Sequence, residues 1–305
     1  MGSGAQQDPM IVLTRRPDSY SCLRFKESAE RLGIDLRLVD PHLLQLQLAG
    51  TANAVSDASR TDFAGCQVIP RLGGLASEFA LAALRQMELS GARTLNSHAS
   101  LMRLRFKFSA LGELATAGIP VPDTQMLRAG ENTDVPGAVE RLGGYPVVLK
   151  FLRGSQGVGV VLAPDESVAL SVLEAMNLVQ YDVMFQRFYP AASASDLRIL
   201  VLHGAARWAI RRTSQSGRFR SNFHRGGTAE PAEPTAEQAT LALRAAELLD
   251  LGFAGVDLID GGEGRDLVLE VNGSPGFEAV DMACGADVAA EVLKSLTASQ
   301  SIDQI

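Results

Sequence analysis

Apolar and polar side chains alternate along Leu267–Asn272: Leu267, Leu269 and Val271 take one side, and Val268, Glu270 and Asn272 the other. Period-two alternation predicts a half-buried strand. Side chains two apart share a face, so Glu270 and Asn272 project together. Upstream, Gly252–Asp260 (GFAGVDLID) reads as another strand, and the glycine-rich stretch Gly261–Arg265 turns it back as a hairpin. The fold-back sets Asp257 roughly opposite Glu270.

The rest of the chain divides by rhythm. Met10–Thr14, Ile34–Val39 and Cys66–Pro70 have strand character, with helices predicted over Ser21–Leu32 and Ser77–Leu89. Strand, helix, strand in this order predicts a small βαβ domain with a parallel sheet. Thr51–Arg60 is small and polar and reads as an exposed loop. Ser97–Ala117 carries Leu101, Leu104, Phe108, Leu111 and Ala115 at helical spacing, the pattern of one long helix with Lys107 on its flank. Strands follow at Tyr145–Phe151 and Val158–Ala163, then a helix at Glu166–Asn177 and a strand at Asp182–Phe188. Asp196–Leu202 and Ala205–Arg212 make a second hairpin through His203 and Gly204. Thr235–Leu249 opens with a capping box, Thr235 and Gln238, and Ala286–Leu296 is the last helix. The expected domains are 10–97, 98–185 and 186–305, with residues 1–9 set aside as a cloning remnant.

Composition narrows the class. With 46% apolar and 21% charged residues the chain is an ordinary globular protein. A net charge of −7 argues against a general polyanion binder, though not against a local basic patch. Cys22, Cys66 and Cys284 are far apart and odd in number, which fits buried thiols in a reducing compartment. No apolar run approaches the roughly 18 residues a membrane span needs, and no signal peptide is evident. The expectation is a cytoplasmic protein with no membrane partner, assembled as a homo-oligomer.

Two carboxylates and an amide oxygen on one face suit a hard cation such as Mg²⁺, which keeps waters and takes phosphates as further ligands. A solvated acidic hairpin would share the acids; the inward Asn272 and the SPG turn after it favour the metal. Gly154–Gly159 (GSQGVG) is short of side chains, so its N–H groups could approach a phosphate. No GK[ST] follows it, and a strand stands where a dinucleotide fold would start a helix. A plain turn would look the same, but Lys150, near the end of an otherwise apolar strand, is costly there without an anion. Arg211–Gly227, holding Arg211, Arg212, Arg218, Arg220 and Arg225, is the most basic stretch. Its Gly, Ser and Asn content reads as a mobile loop. Its few aromatics, with no second basic patch, disfavour nucleic acid.

Together these pieces resemble the ATP-grasp superfamily: a glycine-rich hairpin after a strand lysine, a DLR strand, and Asp257 beside Glu270-Val271-Asn272. Within it the chain is similar to the RimK group of glutamate ligases, which add glutamate to the C-terminus of a ribosomal protein. The similarity runs through Tyr20–Cys22, Ile69–Arg71, Ala82–Gln86, Val147–Ala163, Phe219–Gly227, Ala254–Ile259 and Glu270–Glu278. It implies an α/β ATP-grasp fold, with an N-terminal βαβ domain before two α+β domains that clasp ATP. By the same resemblance, Lys107 and Lys150 contact the nucleotide, and Gly154, Ser155, Gln156, Gly157, Val158 and Gly159 close over its phosphates. Gln186, Arg187 and Phe188 line the adenine pocket, and Asp196 helps hold the nucleotide. The family usually has Glu at the position of Arg187. Arg220, Ser221 and Asn222 touch phosphate or activated substrate, with Lys150, Arg212 and Arg220 the expected catalytic cations. Asp257, Glu270 and Asn272 hold two Mg²⁺ or Mn²⁺.

The implied reaction phosphorylates a carboxylate and lets an amine displace phosphate, with L-glutamate the favoured amino acid and a carboxylate-bearing small molecule, peptide or protein as acceptor. His224 could serve as a base or as an anion contact. A non-catalytic nucleotide-binding module, and a ligase for a cofactor or an amino-group carrier protein, are the competing readings.

Overall fold

The computed structural model describes residues 9–59, 61–74, 76–128, 130, 133–151, 159–179, 181–192, 195–214 and 227–302. Four consecutive apolar residues, Met10–Leu13, form β1, buried throughout as a central parallel strand must be. Helix α1 (Tyr20–Leu32), closed by Gly33 at φ 68°, leads to β2 (Leu36–Val39). Strands β3 (Gln45–Ala49) and β4 (Ala52–Ser56) pair as a small hairpin, so much of the segment expected as a loop at Thr51–Arg60 is strand. Its backbone groups find partners within the hairpin although most of its side chains are exposed. The chain returns on the other side of β1 as β5 (Gln67–Pro70). Helix α2 (Glu78–Leu89) and β6 (Arg93–Thr94) complete a parallel sheet ordered β2-β1-β5-β6.

The long helix expected next is two. Helix α3 (His98–Arg105) stops at Phe106, whose φ of −102° and ψ of 82° are not helical, and α4 (Lys107–Thr116) starts immediately after. The break lets one apolar pattern serve two cores. Leu101 packs with Leu84 and Met87 under the first sheet, whereas Ala110, Leu111 and Leu114 join the C-terminal core. Phe108 and Ala115, expected on the buried stripe, are exposed.

A central antiparallel sheet follows, built from β7 (Thr124–Leu127), β8 (Val147–Phe151), β9 (Val160–Ala163) and β10 (Val183–Arg187), in the order β7-β10-β8-β9. Helices α5 (Val135–Arg141) and α6 (Glu166–Leu178) cover one face through Val135, Val139, Ala169 and Leu173. The last sheet, also antiparallel, contains β11 (Ser195–Leu202), β12 (Ala205–Thr213), β13 (Thr228–Pro231), β14 (Phe253–Asp260) and β15 (Asp266–Asn272), ordered β13-β12-β11-β14-β15. The His203-Gly204 turn has positive φ at both residues, 44° and 72°, as a tight hairpin requires. Helix α7 (Ala236–Leu248) begins with the expected capping box and packs on one face of this sheet. Helices α8 (Glu278–Cys284) and α9 (Val288–Ile302) join the other face to the N-terminal domain, where Phe277, Val288 and Val292 pack with Met10 and Phe25.

Candidate active site

In the C-terminal sheet, alternation sorts each strand into a core face and a polar face. Leu197, Ile199, Val256, Leu258, Val268 and Val271 enter the core under α7. The intervening positions set Asp196 opposite Arg212, Arg198 opposite Asp257, and Asp257 opposite Glu270. Asn272 pairs with Gly255, two residues further along each strand. The alternation expected for β15 fails at one point. The register shifts between Asp257 and Leu258, so Leu269 is the extra residue of a bulge and Val268 faces the core rather than Glu270's side. Such bulges re-aim side chains, and this one keeps Glu270 opposite Asp257 while Val268 still fills the core.

Asp257 is 4% exposed and is gripped by two guanidiniums. Arg198 donates to both of its oxygens, Nε to Oδ1 and Nη2 to Oδ2, each at 2.7 Å. Arg212 Nη2 lies 3.0 Å from Oδ2 and also bonds Asp196. Burial alone would push the Asp257 carboxyl up, but Arg198 and Arg212 hold it down at about 2. Burial pushes Asp196 up, with Arg212 opposing. Arg212 therefore bridges two buried carboxylates, a positioning geometry rather than an open anion site. Such groups are tolerated away from water only because each charge is met by fixed partners.

Glu270 is more open and draws the other domains in. Lys107 Nζ, at the start of α4, is 3.2 Å from Glu270 Oε1. The break at Phe106 makes Lys107 the first residue of a new helix. Lys150, one residue from the end of β8, has no ion-pair partner among the described residues. Burial lowers its ammonium to about 8, Glu270 and Asp257 raising it and Lys107 lowering it. A desolvated lysine without its own carboxylate, beside two acids and a second lysine, is prepared for a polyanion.

The side chains expected to hold a metal offer only oxygen, and two carboxylates with one amide are too few for a closed protein cage. No group of three or more His, Cys, Asp or Glu suited to an ion occurs among the described residues. The set fits a hard divalent cation that completes its shell with phosphate oxygens and water.

On β10, Gln186 is buried and donates to Thr124 Oγ1 at 2.9 Å. Arg187 is exposed, 3.3 Å from Asp123 Oδ2 and stacked over Tyr189; Phe188 is half-buried just beyond. Gly159 has φ 79°, and a Cβ there would come within 2.6 Å of the Phe151 ring, so the end of the glycine-rich hairpin requires glycine. Gly154, Ser155, Gln156, Gly157, Val158, Arg220, Ser221, Asn222 and His224 lie outside the described residues.

Sequence reading missed three residues. Arg198 was within reach, because its spacing from Asp196 puts both on one strand face. Asn96 is buried, donating to Phe253 O and Gly273 O at 2.7 Å and accepting from Phe253 N at 3.0 Å. It ties the N-terminal domain to the hairpin that carries Asp257 and Glu270, and no local pattern announces it. Arg71 closes a short apolar strand, and no spacing in the sequence links it to a partner.

An N-terminal parallel sheet followed by two antiparallel sheets, with Lys107 of α4 paired to Glu270 and Lys150 of the central sheet near the same acids, is the ATP-grasp architecture. The description "RimK-like ATP-grasp domain" matches residues 105–296 and "RimK PreATP-grasp domain" residues 9–101. The chain belongs to the RimK-like ATP-grasp family. It is 37% identical over 287 residues to a probable alpha-L-glutamate ligase of Aeromonas salmonicida, covering 94% of this chain and 95% of that protein. A probable alpha-L-glutamate ligase 1 of Shewanella amazonensis is 36% identical over 284 residues, 93% of each chain. Among solved structures, the ATP-grasp ligase PsnB complexed with minimal precursor superposes with a TM-score of 0.74 at 22% identity, covering 96% of this chain and 99% of that one. A RimK domain protein from Sphaerobacter thermophilus gives 0.71 at 24% identity, covering 93% and 97%. At those identities the structures speak for the fold. Among the described residues no helix is long and apolar enough to cross a membrane.

Proposed function

We propose that this chain is an ATP-dependent carboxylate–amine ligase that adds L-glutamate, or a similar amino acid, to a carboxylate-bearing acceptor, releasing ADP and phosphate. The observation that carries it is the convergence of two lysines on the acids of β14 and β15: Lys107 pairs with Glu270 at 3.2 Å, and Lys150 lies within electrostatic reach of Glu270 and Asp257. The relatives named alpha-L-glutamate ligases support the amino acid.

Asp257, Glu270 and Asn272 would hold Mg²⁺, with Mn²⁺ as a substitute; the ion supplies charge neutralisation at the phosphates. Lys107 and Lys150 bind phosphate oxygens, which suits a transfer that depends on positioning and electrostatics more than on protein nucleophiles. Arg198 and Arg212 fix the Asp257 carboxylate in its ionised, oriented form. Gln186, Arg187 and Phe188 border the adenine, and Asp196 stands beside the nucleotide. The acceptor's carboxylate oxygen attacks the γ-phosphorus and ADP leaves. The amine then attacks the acyl carbon and phosphate leaves, carrying that oxygen.

An acceptor labelled with heavy oxygen in its carboxylate should therefore place one label in inorganic phosphate for each bond made. AMP as the stoichiometric nucleotide product, or unlabelled phosphate during coupled turnover, would overturn the mechanism.

A further inference from the structure

Arg71 stands just past the C-terminal end of β5, and its backbone N–H donates to Leu13 O, at the end of β1, at 2.9 Å. In the order β2-β1-β5-β6, the chain winds outward from β1 to β2 and then returns to the other side. The gap between β1 and β5 is the point where winding reverses, and open parallel sheets bind ligands outside their carboxyl ends at that point. The Arg71 guanidinium donates through Nη2 to Ser21 Oγ at 3.0 Å and lies over the Phe277 ring, Cζ 5.8 Å from its centroid. Among the described residues it has no carboxylate partner, and burial lowers it to about 10, still protonated at neutral pH. Asp281 is engaged elsewhere, accepting from Tyr20 Oη and from Val288 N–H, each at 3.1 Å. Arg71 is half-buried, and Ser21 is the one side-chain acceptor it meets among the described residues, so its guanidinium can still take an anion.

The position says which anion. Phe277 follows Asn272 by five residues, a span of at most about 18 Å. Phe277 also shares a core cluster with Leu200, two residues along β11 from Arg198 and so on the same sheet face, and an anion on Arg71 therefore borders the face that carries Arg198 and Asp257. The triphosphate has its own cations, Lys107 and Lys150, from the other domains. A single planar guanidinium beside a hydroxyl, above an aromatic ring, matches a carboxylate with a short aliphatic stem. We propose that Arg71 and Ser21, over Phe277, form a subsite for a non-reacting carboxylate of the substrate. The assignment rests on the ligase reading above. Two sources share the chemistry: the free amino acid that brings the amine, and the acceptor.

The test uses the full chain with Mg-ADP and L-glutamate in a calorimetric titration, so it does not depend on turnover. Arg71→Met should weaken L-glutamate binding about tenfold or more, and Arg71→Lys should recover part of it. The preference of the unaltered chain for L-glutamate over its neutral carboxamide analogues should disappear in Arg71→Met, which a loss of packing alone would not cause. Ser21→Ala, a smaller change, should weaken binding in the same direction should Arg71→Met fail to fold. Equal heats for L-glutamate in the unaltered and variant proteins, together with unchanged KM values for both amino acid and acceptor, would overturn the subsite. In turnover, a KM change confined to the amino acid assigns the site to the amine donor, and one confined to the acceptor assigns it there. A chain that binds L-glutamate through Arg71 but releases no ADP with any acceptor would defeat the ligase reading and leave the subsite standing.

Discussion

Replacing Asp257 by Asn should cost stability as well as activity, whereas replacing Glu270 by Gln should cost activity alone. The difference lies in burial. Asp257 is 4% exposed with two guanidiniums on its oxygens; the Glu270 side chain is 39% exposed and meets one lysine. The arginines outweigh burial and bring Asp257 from its ordinary 3.8 to about 2. A depressed carboxyl stabilises the fold fully above its unfolded value, and the contribution fades as pH falls through the folded one. It is worth about 2 kcal/mol at neutral pH. Asparagine removes that and leaves Arg198 and Arg212 short of a buried partner, a change that typically costs about 3–5 kcal/mol. Because Arg212 keeps Asp196, a loss of about 2–4 kcal/mol is expected, or roughly 5–10 °C in Tm. The exposed Lys107–Glu270 pair is worth about 0–1 kcal/mol. Thermal and urea unfolding at pH 7, then in steps from pH 5 towards pH 2, should show the gap between Asp257→Asn and the unaltered chain shrinking with acid. ADP release should be abolished in both variants. An Asp257→Asn protein as stable as the unaltered one at pH 7, or a Glu270→Gln protein equally destabilised, would refute the reasoning.

Lys150 offers a test in protons: nucleotide phosphates should raise an ammonium now at about 8. Binding at pH 8.5 should therefore take up a fraction of a proton, read as buffer-dependent heat, and affinity should fall as pH rises through about 8; Lys150→Met should abolish the uptake, and a buffer-independent heat would refute it. Asn96→Ala strands three buried backbone groups at Phe253 and Gly273, at about 1–3 kcal/mol each before relaxation. A variant within 1 kcal/mol of the unaltered chain in urea, on the order of a surface change, would show that this tie contributes little.

Most strands and helices could be read from the chain because their patterns are local. The break at Phe106 could not: helical spacing reports that Leu101 and Leu111 are both buried, but not that they enter different cores. Strand β13 escaped because its TAEP sequence has no apolar alternation; its pairing comes from β12. The bulge at Leu269 escaped for a related reason. Strict alternation puts Val268 with Glu270, and only the packing of α7 against this sheet makes Val268 worth turning inward.

Asp257, Glu270 and Asn272 were legible as one group because strand spacing and hairpin pairing put them on one face. The cations were legible only in part. Lys150 stood out as a charge in an apolar run, and Arg198 could have been found from Asp196. Arg71 and Asn96 act on residues far along the chain, where spacing carries no signal. Asp257 shows why the difference matters for chemistry. Taken from sequence it is a free ligand; in the fold both its oxygens already accept from guanidiniums. An ion approaching it meets a carboxylate whose charge Arg198 and Arg212 have partly neutralised, while Lys107 does the same to Glu270. On the proposed reading, such a site would attract a lone cation weakly and a cation with its phosphates more strongly, because the phosphates would supply the negative charge that the guanidiniums and Lys107 have already met.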